Sequence, residues 1–304
     1  MIWMKTNKVF LLFILFLLIT SQHSAFPQVP GVEHVVIIGC DGMSPDGVRK
    51  ANTPYMDWMM KNGAYTLHAR AVMPTSSSPN WASMIMGAGP EQHGVTSNDW
   101  QPDKFDITPT CVGSCGIFPT IFGVLRQQRP KSILACFHDW SGFGRLFERK
   151  AVNKIDDAKG PDKTVEHAVA YLKEKKPMFT FIHLDHVDHA GHKYGHGTHK
   201  YYQAVEKADQ LIGDAIQGLQ DAGIFSKTIV LVTADHGGRG KGHGGATMAE
   251  IEIPWILLGP GVTRGKEILK PVNTFDTAAT IAYIFGLKMP KCWIAQPVRE
   301  AFLK

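Results

Sequence analysis

Three short apolar runs in this chain each lead straight into acid: HVVIIGC at 34–40 is followed by Asp41, MFTFIHL at 178–184 by Asp185 and then Asp188, and KTIVLVTA at 227–234 by Asp235 and His236. Runs this short and this free of polar alternation read as strands buried on both faces, the pattern of a parallel sheet. SILACF at 132–137 and PWILLG at 254–259 read the same way. Helical patterns lie between them. TPYMDWMMKNG places Thr53 as N-cap, Pro54 at the first helical position and Gly63 at the end. The segment from His199 to Ala222 sets Ala204, Ala208, Leu211, Ile212, Ala215, Ile216 and Leu219 on one helical face. Strands alternating with helices predict an α/β fold, a mostly parallel central sheet with helices on both faces. Ligands of such sheets bind beyond the carboxyl ends of the strands, so the three acidic stretches converge at one edge. Neighbouring strand residues point to opposite faces, so Asp235 and His236 can meet one ion only if their strand has already ended. The glycines of TADHGGRGKGHGG, 233–245, permit that ending.

The chain has 304 residues, 44% of them hydrophobic and 19% charged, enough for a sizeable core. Nothing between Gly31 and Lys304 reads as a linker, repeat or low-complexity tract, so residues 30–304 are expected to form a single catalytic domain. The start is different in kind. Lys5 and Lys8 precede FLLFILFLLI at 10–19, and Thr20, Ser21 and Ser24 follow, the layout of a secretory signal peptide over residues 1–25. Ten apolar residues are short for a hydrocarbon core of about 30 Å. A secreted or periplasmic protein is therefore expected, with no stable membrane span after cleavage. The formal net charge of +5 includes Lys5 and Lys8, and the basic residues are scattered, which argues against nucleic-acid binding. Among the five cysteines, Cys111 and Cys115 stand close enough to close a small loop, while Cys40 and Cys136 read as buried small residues. The stretch from Thr96 to Gly116, rich in Asp, Thr, Pro and Gly, reads as a surface insertion.

FIHLDHVDHAGHKYGHGTH, 181–199, holds six histidines and two aspartates, a density that a core does not explain. Asp188 and His192 are four apart and would share a helical face, and mixed Asp/His ligation suits zinc. Asp185 and His189 have the same spacing, so the residues alone do not choose between the pairs. MPTSSSPNWASMIMG, 73–87, supplies hydroxyls. With Pro79 read as the first residue of a helix, the serines before it lie where free N–H groups favour an anion. A serine is a poor nucleophile near neutral pH unless a base or a metal lowers its pKa, and a two-metal site would do so without a general base.

VVIIGCDGM, PTSSSPNWASMIMG with its downstream EQHGV, VDHAGHKYG and TADHGGRGKGHGG, in this order from Val35 to Gly245, resemble the alkaline phosphatase superfamily and its nucleotide pyrophosphatase/phosphodiesterase branch. The resemblance implies an alkaline-phosphatase-like fold and two Zn2+ per chain. Asp41, Asp235 and His236 would hold one zinc together with the nucleophile's oxygen, and Asp188, His192 and His243 the other, which breaks the tie over the histidine cluster. The family nucleophile, usually threonine, stands two residues before the proline of T-x-P-N, here Ser77. Asn80 matches the asparagine that donates to a non-bridging phosphoryl oxygen. A sulfatase would carry arginine where Trp81 stands. Trp81 reads either as an apolar wall for a diester substituent or as packing. The expected function is a two-zinc phosphodiesterase or nucleotide pyrophosphatase that acts on a small phosphate ester, such as a nucleotide, through a phosphoserine intermediate. A phosphomonoesterase or phosphonate hydrolase on the same site is the alternative. From another class comes a zinc- or glycan-binding envelope protein, which would need neither Ser77 nor Asn80.

Overall fold

The computed structural model describes residues 29–113 and 115–303, and the expected leader lies outside them. Eight strands form one sheet: β1 (His34–Cys40), β2 (Ala64–Arg70), β3 (Leu134–His138), β4 (Lys154–Asp157), β5 (Phe179–Leu184), β6 (Thr228–Thr233), β7 (Glu252–Leu258) and β8 (Lys266–Glu267), in the spatial order β4-β3-β5-β1-β6-β7-β2-β8. From β4 to β6 all pairs are parallel. The run PWILLG lies in β7, which is antiparallel to both its neighbours and not parallel as its composition suggested. The chain leaves β6 at the carboxyl edge, stays there through residues 234–247 and the short Met248–Ile251 helix, and can only run back. Apolar content records that a strand is buried on both faces, not which way it runs.

Two helix layers cover the sheet. Helices Pro54–Asn62 and Pro161–Lys175 both pack on His199–Asp221; Ser77–Met86, Ile121–Gln128 and Asp276–Ile284 form the second layer. Side-chain alternation assigns the faces: Phe181 and His183 of β5 meet Trp81 of the second layer, so Thr180 and Ile182 point to the first. The long His199–Asp221 helix buries Ala208, Leu211, Ile212, Ala215, Ile216 and Leu219, with Ala204 partly buried. The Pro54–Asn62 helix lies between Thr53 and Gly63 as read, but Thr53 makes no side-chain cap. The free N–H groups of Tyr55 and Met56 donate to the Asp209 carboxylate of the long helix instead, at 3.1 and 2.8 Å.

Cys40 and Cys136 are buried within β1 and β3. Cys111 does not close a loop with Cys115: it is bonded to Cys292, which ties the irregular stretch after Thr96 to the segment beyond the Asp276–Ile284 helix. Spacing in sequence favoured the near partner, whereas the fold folds a distant segment onto it. Among the described residues no helix is long and apolar enough to cross a membrane.

Candidate active site

β5, β1 and β6 are adjacent, so their carboxyl ends stand side by side, about 5 Å from one strand to the next. Asp41 is the first residue past β1, Asp235 and His236 come just after β6 ends at Thr233, and Asp188 lies in the first turn of the His186–Tyr194 helix that follows β5. Gly42, at φ +67°, lets these segments close up, since a Cβ there would lie 2.8 Å from Asp188. Its N–H donates to Asp235 Oδ1 at 3.1 Å.

The side chains gather in two groups, Asp41 with Asp235 and His236, and Asp188 with His192 and His243, each with its ligand atoms within 4.8 Å of one another. His236 Nε2 lies 3.4 Å from Asp41 Oδ1, 3.2 Å from Asp235 Oδ2 and 3.4 Å from Ser77 Oγ. His192 Nε2 lies 3.1 Å from both Asp188 Oδ2 and His243 Nε2. The groups adjoin, for the His236 and His243 rings stack with centroids 3.8 Å apart.

Whether these residues suit a cation is decided by their hydrogen bonds. Each of the three histidines faces a backbone carbonyl through Nδ1: His236 that of Gly237 at 2.7 Å, His243 that of Thr75 at 2.8 Å and His192 that of Lys241 at 2.9 Å. A carbonyl only accepts, so each neutral ring carries its proton on Nδ1 and turns an Nε2 lone pair inward. His192 and His243 thus oppose two lone pairs at 3.1 Å. Among the described residues, Asp41 Oδ1, Asp235 Oδ2 and Asp188 Oδ1 are buried with no hydrogen-bond partner. Burial pushes the carboxyls of Asp41 and Asp235 well above the ordinary range and raises that of Asp188, with repulsion from neighbouring carboxylates adding to it, while burial holds His236 below its ordinary value. Converging lone pairs and orphaned carboxylate oxygens are what a divalent cation satisfies in each group.

The segment that carries Ser77 differs from its reading in two respects. The helix spans Ser77–Met86 with Ser76 as N-cap, so it starts two residues before Pro79. Pro79 is tolerated because first-turn N–H groups have no intrahelical partner. Asn80 does not face the clusters. It is fully buried, accepts from Val72 N at 2.7 Å and donates to the carbonyls of Val72, Pro74 and Ser76, so its amide splints the turn before the helix and leaves no hydrogen for a ligand. Trp81 is also fully buried and cannot line a substrate pocket; its Nε1 donates to Asp41 Oδ2 at 3.0 Å.

Asn98 is the residue that motif reading missed. It is exposed, its Oδ1 accepts from Ser78 N at 2.8 Å, and its backbone carbonyl accepts from Arg145 Nη2 at 2.6 Å. Only the fold brings it beside Ser77, because it stands in the irregular stretch after EQHGV, where no residue pattern marks it. His93 of that motif links the two: its Nδ1 accepts from Val95 N, and its Nε2 meets Ser83 of the Ser77–Met86 helix at 2.9 Å.

A mostly parallel α/β sheet with two Asp/His groups at its carboxyl edge and a serine at a facing helix start defines an alkaline-phosphatase-like protein. Over residues 35–116 and 119–240 the chain matches the type I phosphodiesterase / nucleotide pyrophosphatase family, and it belongs to that family. It is 24% identical over 212 residues to venom phosphodiesterase 2 of Crotalus adamanteus, covering 64% of this chain and 26% of that protein. With bis(5'-adenosyl)-triphosphatase ENPP4 of Homo sapiens it shares 23% identity over 217 residues, 67% of this chain and 47% of the other. The chain thus spans less than half the length of these curated relatives. Among solved structures, inactive murine ectonucleotide pyrophosphatase / phosphodiesterase 5 in complex with AMP superposes with a TM-score of 0.71 at 15% identity, over 85% of this chain and 96% of that one. A substituted variant of alkaline phosphatase PafA gives 0.75 at 11% identity, over 91% and 100%. His243 lies beyond the matched residues, so its place in the second group rests on geometry.

Proposed function

We propose that the chain is a zinc-dependent phosphodiesterase or nucleotide pyrophosphatase with Ser77 as its nucleophile. The observation that carries this reading is Ser77 Oγ, 3.4 Å from His236 Nε2 in a group whose carboxylates keep buried oxygens without hydrogen-bond partners. Held by Asp41, Asp235 and His236 on one side and Asp188, His192 and His243 on the other, two cations would favour the ionised serine and neutralise charge on the phosphoryl group. Zinc fits the mixed Asp/His donor sets. Ser77 is the first residue of its helix, where the dipole and free N–H groups also favour negative charge. Its Oγ bonds to phosphorus as the bond to the leaving oxygen breaks; the serine proton passes to water, and the leaving oxygen takes one from water. Water then attacks the phosphoserine, displacing Ser77 Oγ, which regains its proton. Asn98, its Oδ1 fixed by Ser78 N–H, is the group whose amide would donate to a non-bridging oxygen, the role that Asn80 cannot fill.

Relatives that act on a bis-adenosyl triphosphate or carry AMP support a nucleotide or other phosphodiester substrate. The signal-peptide pattern and the Cys111–Cys292 disulfide support an exported, oxidising location. The test is hydrolysis of bis-p-nitrophenyl phosphate, a nucleotide p-nitrophenyl ester, p-nitrophenyl phosphate and a sulfate ester by zinc-loaded protein. A diester kcat/KM at least about tenfold above the monoester is expected, which needs about 1.4 kcal/mol of differential transition-state stabilisation. Monoester preference would move the assignment to a phosphomonoesterase on the same site. Full zinc loading without turnover of any substrate would favour the binding protein.

A further inference from the structure

We infer that Trp81 and His183 are positioning residues which select the oxygen that Asp41 offers to a cation and tie the first ligand group to the helix that carries the nucleophile. The inference rests on the reading of Asp41, Asp235 and His236 as cation ligands.

Asp41 is almost completely buried, so its two oxygens depend on protein donors. Oδ2 has two, Trp81 Nε1 at 3.0 Å and His183 Nε2 at 3.3 Å; Oδ1 has none and lies 3.4 Å from His236 Nε2. A carboxylate is nearly two-fold about its last torsion, so an unrestrained Asp41 could present either oxygen or both. With Oδ2 held from two different elements, only Oδ1 is left to ligate. Asp235 shows the contrast. Its held oxygen accepts a backbone N–H from Gly42, which no side-chain change removes, whereas the orientation of Asp41 is set entirely by replaceable side chains.

The supports are themselves built in. His183 stands level with Gly39 on the strand beside β1, and its Nδ1 has no partner, so its one proton serves Asp41 through Nε2. Gly39 leaves room for the indole, since a Cβ there would lie 2.5 Å from the Trp81 ring. Phe143 and Phe181 meet that ring edge-on with centroids 5.8 Å away, and the His183 ring is 4.9 Å away. Trp81 follows Ser77 by four residues in the same helix, so the two side chains project from one face a turn apart. One rigid element therefore positions both the hydroxyl and the carboxylate that must share a cation. An indole that was merely packed would need any acceptor; this one takes the oxygen opposite the ligating one.

The test titrates metal-stripped protein with Co2+, followed by its visible absorption and by calorimetry, in the wild type and in Trp81→Phe, His183→Leu and His183→Gln. Repeating each in a His243→Ala background isolates the first group. Trp81→Phe keeps the ring and loses the N–H; His183→Gln can keep a donor that His183→Leu removes. Loss of an outer-shell donor should weaken cation binding by about 10- to 100-fold. That loss is expected in the first group for Trp81→Phe and His183→Leu, with an altered cobalt spectrum, partial rescue in His183→Gln and an unchanged second group. If Trp81→Phe does not fold, the His183 pair carries the comparison alone. First-group affinity and spectrum at wild-type values in the folded variants would overturn the inference, even if their thermal stability had dropped. A wild type that binds no Co2+ would instead overturn the reading of the ligands and the inference with it.

Discussion

At the scale of single residues, Ser77 and the two asparagines separate chemistry from support. Ser77→Ala should abolish turnover while zinc content by elemental analysis stays near that of the wild type, because the Asp and His ligands remain. Retained activity there, with loss in Ser76→Ala, would shift the nucleophile by one residue. Asn98→Ala should lower kcat about 10²- to 10³-fold if the amide stabilises developing charge, and cost only about 1 kcal/mol of stability through the lost acceptor of Ser78 N. Asn80→Ala should do the reverse in kind. It strips partners from the part-buried N–H of Val72 and from three carbonyls, which costs about 2–4 kcal/mol of stability. A kinetic defect in Asn80→Ala at undiminished stability would restore it to the oxyanion role. That the Asn80 side chain is turned into the turn before its helix was not legible, because adjacency to a motif says nothing of where a side chain points. Similarly, Asp185 and Asp188 offered the same spacing to a histidine four residues on, and only the helix start at His186 separates them: Asp188 faces His192, while Asp185 stands at the N-cap with its N–H bonded to Asp139.

Among elements, the loop that brings His243 back to the site depends on Thr75. This buried residue receives the Nδ1 proton of His243 on its carbonyl, accepts from Gly244 N at 3.0 Å and donates through Oγ1 to Gly245 O at 2.8 Å. The turn also needs Gly244, which sits at φ +105°. Thr75→Val keeps the shape and deletes both hydroxyl bonds, at a cost of about 1–3 kcal/mol. Because the loss falls on the segment that carries His243, zinc should bind more weakly to the second group than to the first, and Thr75→Ser should recover most of it. Equal weakening of both groups would mean general loosening instead. The central strands and the long His199–Asp221 helix were readable because their burial is written in run length and period, whereas the Pro161–Lys175 helix was not read. β2 was not, since AYTLHAR alternates buried residues with exposed His68 and half-buried Tyr65 and Arg70 and carries no apolar run. β8 is two residues long and leaves no pattern at all.

For the whole molecule, the edge where the ligands gather could be read from the acids that follow three apolar runs, but the distant disulfide and the return of β7 depend on how segments are laid over one another. The same concentration of buried ionisable groups at that edge couples stability to pH and to metal. Asp41, Asp188 and Asp235 are raised from 3.8, so without a cation they favour the fold at low pH, and that contribution is lost as pH rises toward their folded values. Buried histidines act oppositely. Burial lowers His93 from 6.5 to about 3, and His138, His183, His186 and His196 to about 4, so their contribution is present above 6.5 and lost as pH falls toward those values. The two sets oppose each other in the acid range, where the raised carboxyls favour the fold and the lowered imidazoles disfavour it. Metal-free protein should therefore lose Tm as pH rises from 3.8 through the raised folded values of these carboxyls. Bound zinc would take the place of the protons of Asp41, Asp188 and Asp235 and remove their share of that slope, so the zinc-loaded protein should lose less Tm than the metal-free protein as pH rises. The separation between the two melting curves should consequently widen with pH, as expected when a cation competes with protons for one set of oxygens. Scanning calorimetry at fixed protein and zinc concentrations measures it directly. A separation that stays constant across that range would show that zinc, if it binds, binds somewhere other than these carboxylates.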